Sequence, residues 1–454
     1  MNLLSFAGVL STGFSILLAI IILLIMITVH ELGHYLVGKL FKFKINEFAI
    51  GMGPAIFKRK KKNSDEVFSI RAFPLGGFCA FEGEDEESDT DGAFNKKEPW
   101  KRILVLIAGA TMNLITGLIV LTLSVGIYGQ LLVKTYDIKP ITDAQYIGYS
   151  LQNDDVILKI NDKNMFLSTD FIEVLAGKKK GEVVTVTVLA NGEKQNRKVR
   201  LRCDVSSKNI SDVVGVYSAL GVSTIERVDD GDSDLKGKYL LRINDADNYD
   251  NCTRIFSISE LVSYAKTFSS GQTLSFYYSG GGSEKLLKTI EIDCDLSNLK
   301  DSQIANKLGI KSTSTLLKYQ TENVKFNFFE TIERGFEYSV NISGTIFRTL
   351  GELLTGKLGI EAMGGTITTI GMTAEVIKTG GFNYFLEIAG FIAINLGVFN
   401  LLPIPALDGS RVVFCLIEWI RKKPLNRKVE GVIHTVGLLL LLGFSILVDI
   451  LHLF

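Results

Sequence analysis

His30-Glu31-Leu32-Gly33-His34 has the residue types and spacing of a hydrolytic metal site. On a helix, residues four apart share one face about one turn apart. Two imidazoles so placed suit two corners of a tetrahedral zinc ion, with the intervening glutamate beside an activated water. Such a site needs a third protein ligand and one position left for water. The pattern with glycine three and histidine six residues beyond the second histidine is excluded, because Val37 and Leu40 stand there. Of the two other histidines, His434 opens the last apolar stretch and is a candidate, whereas His452 lies at the far end of that stretch, at the opposite membrane face. The acids Glu387, Asp408, Glu418 and Asp449 near apolar stretches complete the set. Asp408 is set apart by its surroundings. In Asn400-Leu401-Leu402-Pro403-Ile404-Pro405-Ala406-Leu407-Asp408-Gly409, two prolines break a helix and Gly409 permits an unusual turn. The alternative role for Asp408 is as N-cap of a helix over 410–420.

The elements that must position these groups are apolar. The chain has 454 residues, balanced charge and 47% hydrophobic content, with a mean hydropathy of +0.26, which is the composition of a membrane protein with attached soluble parts. The balanced charge gives no sign of nucleic-acid binding. Five cysteines are too few for a disulfide scaffold. Cys203 and Cys294 could pair in an oxidising compartment, but equivalent positions in two repeats need not be close, and unpaired thiols are the preferred reading. Four stretches are long enough to span a bilayer, near 13–36, 103–127, 385–402 and 432–451. The first carries the HExxH residues and is expected to be a retained span, since cleavage there would discard the chemistry. The third carries Asn395 and Asn400, which are costly in lipid unless they face protein or a cavity. Lys58-Arg59-Lys60-Lys61-Lys62 with Lys96, Lys97, Lys101 and Arg102, and Arg421, Lys422, Lys423, Arg427 and Lys428, make the loops after spans one and three cytoplasmic. The long segment 128–384 and both termini then face outside.

Residues 130–300 alternate apolar and polar positions between Gly, Asn and Asp turns, and contain a duplication. Ile157-Leu158-Lys159-Ile160-Asn161-Asp162 recurs as Leu240-Leu241-Arg242-Ile243-Asn244-Asp245, and each copy ends in a Cys-Asp pair. The stretch 148–162, GYSLQNDDVILKIND, resembles the turn and strand of a PDZ domain. The resemblance implies a fold that binds extended peptide by strand addition; the plainer reading is a spacer that limits access.

HELGH in the first span together with N-x-x-P-x-P-x-L-D-G at the third resembles the site-2 protease family of intramembrane zinc metalloproteases. Within it the chain is similar to the bacterial branch with PDZ domains, the regulator of sigma-E protease type. Phe48-Ala49-Ile50-Gly51-Met52-Gly53-Pro54 and Phe73-Pro74-Leu75-Gly76-Gly77-Phe78 match the two glycine-rich motifs of that family's first cytoplasmic loop. Two places depart from the pattern: Ala108-Gly109-Ala110-Thr111-Met112-Asn113 lacks the usual proline, and Gly364-Gly365-Thr366 stands where Ser-Gly-Pro is usual.

The resemblance implies a multi-pass α-helical membrane protein with about four transmembrane helices. A membrane-associated β-rich cytoplasmic loop and tandem extracytoplasmic α+β PDZ-like domains complete it. The expected segments are 1–127 for the first half of the membrane core, 128–205 and 206–312 for the two PDZ-like domains, 313–384 for an amphipathic linker and 385–454 for the second half of the core. It implies Zn2+ held by His30, His34 and Asp408, with Glu31 as general base. Asn400 and Asn395 would hydrogen-bond an unwound substrate or the developing oxyanion, and Asn113 is a further polar candidate. The implied partners are the lipid bilayer and single-span membrane proteins, of anti-sigma factor, signal-peptide remnant or pheromone precursor type. The implied location is the bacterial cytoplasmic membrane.

Overall fold

Apolar runs that leave water must satisfy their backbone hydrogen bonds internally, and the long Leu, Ile, Val and Ala runs of this chain do so as helices. The computed structural model describes residues 3–60, 65–84, 86–135, 147–152, 154–166, 170–201, 223–224, 226–227, 239–243, 264–279, 284–292, 295–296, 299, 303–304, 310–311, 321–356, 364–423, 425 and 427–451. The chain divides into two compact units, Met1–Tyr128 with Phe326–Phe454, and Gly129–Lys325.

The first unit contains helices α1 (Leu3–Leu40), α2 (Pro99–Tyr128), α3 (Phe328–Leu354), α4 (Thr366–Leu401), α5 (Asp408–Arg421) and α6 (Arg427–Leu451). Segments Gly13–Leu40, Pro99–Tyr128, Tyr384–Leu401 and Val429–Leu451 are long and apolar enough to cross a membrane, and they match the four expected spans to within four residues at each end. Large apolar side chains on their outer faces, among them Leu17, Ile119 and Leu439, are exposed, as lipid-facing residues are. The chain is a membrane protein.

Helix α2 is the centre of this unit and packs against α1, α3, α4 and α5. Its buried Ala108, Gly109, Ala110 and Gly117 keep its surface low, which lets neighbouring backbones come close where lipid offers no hydrophobic drive to association. Ala19, Ile22 and Met26 of α1 interlock with Ala389, Ile392 and Ala393 of α4. Helix α3, from a region expected to be a linker, packs on α2 and α4 through Tyr338, Ile342 and Ile346 while Phe328, Phe329 and Phe336 stay exposed.

Between α1 and α2 lie two long bent strands, β1 (Ile45–Lys60) and β2 (Val67–Phe81). Residues 67–70 pair with 57–60 and also with 47–50, and the 45–50 stretch pairs further with 77–81, so two strands make a small four-segment sheet. The bend in β1 falls at Gly51, whose φ of 84° is a region that other residues enter only with strain. Phe81, with Phe43 and Phe94, anchors the sheet in a cluster with Val105 and Leu106 of α2 and Cys415 of α5.

In the second unit, the strands Lys163–Asn164, Val156–Ile160, Val183–Ala190 and Glu193–Arg200 form one sheet in that order. Glu284–Glu291, Thr273–Ser279 and Tyr239–Ile243 form part of another. The two copies share strand order and also detail. Gly181 N–H bonds Leu201 O at 2.8 Å and Gly271 N–H bonds Ile292 O at 2.8 Å. In both the glycine has positive φ, 87° and 89°. The first copy's core is Ile157, Ile160, Leu175, Val184, Val186, Val188 and Leu201. Its buried Asp155 takes a two-pronged hydrogen bond from Arg197 at 2.9 and 3.1 Å. Cys203, Cys294 and His452 lie outside the described residues.

A buried ion pair fastens α5 to the α2 axis. Arg102 and Glu418 are both about 5% exposed and bonded to each other, and Glu418 also accepts the Leu425 N–H at 2.9 Å. Removing one partner of a buried pair leaves an uncompensated charge and typically costs about 3–5 kcal/mol. Glu418→Ala is therefore expected to lower the thermal unfolding midpoint of the purified protein in detergent clearly; an unchanged midpoint would refute a structural role for the pair.

Candidate metal centre

Helix α1 carries His30 and His34 on one face, one turn apart, and buries both. Their rings meet edge to face with centroids 4.7 Å apart, and the two Nε2 atoms lie 3.0 Å from each other. Asp408 arrives from the far end of the sequence. Its Oδ2 is 2.9 Å from His30 Nε2 and 3.4 Å from His34 Nε2. Three donor atoms thus form a triangle with edges of 2.9, 3.0 and 3.4 Å. Ligands about 2.0–2.1 Å from a tetrahedral zinc stand roughly 3.3 Å apart, so the triangle fits one face of such an ion. The Glu31 carboxylate lies beside the two imidazoles, the ligand atoms of the three residues all falling within 4.8 Å of one another. Strand β2 runs past that side chain: a Cβ built on Gly77 would stand 3.5 Å from Glu31 Cγ.

Asp408 is held by an irregular segment. Helix α4 ends at Leu401, and Pro403 and Pro405 prevent its continuation. Ala406 has φ of 80°, a left-handed conformation that costs an L-residue of order 1–3 kcal/mol. Its N–H donates to His434 Nδ1 at 3.2 Å, so α6 braces the strained residue. A Cβ on Gly409 would strike the carbonyls of Leu401 and Leu402, which is why the turn closes tightly there. Asp408 is the first residue of α5, and the N-cap is Leu407. The Asp408 side chain points to the histidines and does not cap the helix as the alternative required. Burial alone raises the Asp408 carboxyl, but the hydrogen bonds and charges of His30 and His34 hold it well below the usual carboxylate range. Burial and the nearby Glu31 and Glu84 charges push the Cys79 thiol far up, so it is neutral beside the site.

The other candidates have different partners. His434 meets Ala406 and the Phe414 ring. Glu418 pairs with Arg102, Glu387 accepts the Tyr338 hydroxyl at 2.7 Å, and Asp449 accepts the Ile367 and Thr368 N–H groups at the start of α4. Asn400 is half-buried on the last turn of α4, next to the loop that carries Asp408. The Asn395 amide donates to Phe391 O, one turn back on its own helix, at 3.1 Å. Asn113 lies against His30, its Nδ2 3.5 Å from His30 Nδ1. Residue types and spacing pointed to Asn113 only weakly, and gave no sign that Val105 O would meet His34 Nδ1, at 2.8 Å.

Gly109 of α2 faces the same triangle. A Cβ built there would lie 2.5 Å from His34 Nε2 and 2.7 Å from His30 Nε2, inside the space the donors surround. The donor set and this glycine-lined cradle fit a bound ion. Gly109→Ala is expected to take bound zinc from stoichiometric to near zero, measured by metal analysis of the purified protein, while the helices remain folded by circular dichroism. Full zinc retention would show that the cradle lies elsewhere.

The sequence pattern of peptidase family M50 matches residues 18–444. The regulator of sigma E protease of Haemophilus influenzae is 26% identical over 443 residues, covering 94% of this chain and 96% of that protein. The zinc metalloprotease RasP of Bacillus licheniformis is 26% identical over 446 residues, again covering 94% of this chain and 96% of its own length. A match of that extent, over both the helices that carry the donor triangle and the unit between them, makes the chain a member of peptidase family M50 and a zinc metalloprotease.

Proposed function

We propose that this chain is an intramembrane endopeptidase that hydrolyses peptide bonds within or near the transmembrane segments of membrane proteins. The observation that carries the reading is the convergence of His30, His34 and Asp408 on one point among helices built to cross a membrane. In this reading those three residues hold Zn2+. Bound zinc supplies a Lewis acid that lowers the pKa of a coordinated water toward ~7 and polarises the scissile carbonyl. Glu31, adjacent in sequence and space, takes the water proton and delivers it to the leaving amine. Asp408, ionised and lodged between the two imidazoles, keeps both Nε2 atoms aimed at the shared point.

A peptide bond in a helix has its polar groups engaged and its carbonyl shielded, so the substrate must unwind before Glu31 can act on it. Asn400, beside the Asp408 loop, offers an amide to the unwound backbone or to the developing oxyanion. Asn395 is a weaker partner in that role, because its amide is already engaged by Phe391 O. The β1–β2 sheet lies along α1 next to Glu31 and gives extended substrate a place to pair.

The Gly129–Lys325 unit is read as tandem PDZ-like domains on the extracytoplasmic side, where they select or exclude substrates. The basic loops after the first and third spans support that orientation in the bacterial cytoplasmic membrane. The relatives named for regulating sigma E and as RasP support single-span membrane proteins, of anti-sigma factor, signal-peptide remnant or pheromone precursor type, as substrates.

Two measurements test the reading. With a single-span reporter co-expressed, Glu31→Gln is expected to lower cleavage by about 100-fold or more, the usual contribution of a general base; equal cleavage by wild type and variant would overturn it. Asp408→Ala is expected to release zinc while His434→Ala retains it, and the reverse pattern would overturn the ligand assignment.

A further inference from the structure

Both zinc-facing histidines turn their outer nitrogens to α2. His34 Nδ1 lies 2.8 Å from Val105 O, which can only accept, so Nδ1 carries a proton and, in the neutral ring that a cation requires, Nε2 presents its lone pair inward. His30 Nδ1 faces the side chain of Asn113, four residues beyond Gly109 and eight beyond Val105, on the same stripe of α2. Asn113 is fully buried, its Nδ2 stands 3.5 Å from His30 Nδ1, and its Oδ1 has no hydrogen-bond partner.

The protonation logic of the site decides which end of this amide faces the ring. His30 Nε2 belongs to the donor triangle, 2.9 Å from Asp408 Oδ2 and 3.0 Å from His34 Nε2. To bind a cation there it must be unprotonated, and the proton of the neutral ring then sits on Nδ1. An Nδ1–H facing an amide NH2 is a donor facing a donor. The two ends of a carboxamide have nearly the same shape, and half a turn about the terminal torsion exchanges them. With Oδ1 toward His30, the ring N–H gains its acceptor and the stranded oxygen gains its donor.

We propose that Asn113 is a positioning residue that accepts the Nδ1–H of His30 and so fixes the tautomer whose Nε2 faces the metal. It does for His30 what the Val105 carbonyl does for His34. The proposal rests on the reading of His30 as a zinc ligand. Under it, one stripe of α2 serves the metal site at three levels, with an acceptor at 105, an open cradle at 109 and a second acceptor at 113.

The test is zinc affinity of the full chain in detergent, by competition with a chromophoric chelator, for wild type, His30→Ala, Asn113→Leu and Asn113→Asp. Leucine keeps the branched heavy-atom skeleton of asparagine but accepts nothing; aspartate restores an acceptor. Loss of an outer partner to a metal-bound histidine typically weakens metal binding about 10–100-fold. Asn113→Leu is expected to fall in that range with the metal-free unfolding midpoint unchanged, and Asn113→Asp to bind zinc within a few-fold of wild type or tighter. Wild-type affinity in Asn113→Leu would overturn the proposal, as would an equal loss in both Asn113 variants. Should Asn113→Leu not fold, Asn113→Asp decides alone, since a tenfold loss there refutes the acceptor role. Zinc retained in His30→Ala would refute the underlying ligand reading instead.

Discussion

The contact between Asp408 and the two histidines joins residues up to 378 positions apart and fixes how the membrane unit must be assembled. Three polar side chains meet in an apolar bundle, where an ionised group without a partner carries an effective penalty of several kcal/mol. The cluster is tolerable only if each member answers the others, so α1, α2 and α5 must hold one depth and one rotation. A slide of α5 by one residue would move Asp408 about 1.5 Å along its axis and open the triangle. The Arg102–Glu418 pair resists that slide from the other end of α5, and Arg411 bonded to Glu84 resists it from the loop side.

The acid is delivered by irregular backbone rather than by a regular helix face. Ala406 in a left-handed conformation, Gly409 against the carbonyls of Leu401 and Leu402, and Gly437 against Pro405 compress a turn that a straight helix could not make. That turn sets Asp408 on the first turn of α5, where the positive end of the helix dipole favours an anion. His434 contributes by accepting the Ala406 N–H. Strain at such a place persists because the surroundings over-determine it, and here the surroundings are α4 and α6.

The local parts of this arrangement were legible in the sequence. His30 and His34 share a face because helical periodicity demands it, and the four apolar runs declare themselves by length. Asp408 was recognisable from its setting, because two prolines and a glycine at the end of a span make little sense as ordinary helix. Contacts across helices were not legible. Gly109 and Asn113 matter because α2 is rotated so that one stripe faces α1, and rotation is set by packing with α1, α3, α4 and α5 together. The hydrogen bond from the Asn395 amide back onto its own helix, to Phe391 O, also belongs to what only the folded chain displays. Amphipathic Phe328–Leu354 read as a linker segment, since its polar and apolar faces are those of any surface helix; its packing on α2 and α4 needed the tertiary structure. In the Gly129–Lys325 unit the duplication was visible as repeated letters, and it reappears in the paired Gly181–Leu201 and Gly271–Ile292 bonds.

In the proposed reading, two imidazoles and one carboxylate, from opposite ends of the chain, bind a single zinc ion. X-ray absorption at the zinc edge of the loaded full-length protein reads the ligand set directly. The expected spectrum has only nitrogen and oxygen neighbours at about 2.0–2.1 Å, with the outer-shell scattering of two imidazoles. A sulfur neighbour near ~2.3 Å, bringing Cys79 or Cys415 into the shell, or scattering from fewer than two imidazoles, would contradict it.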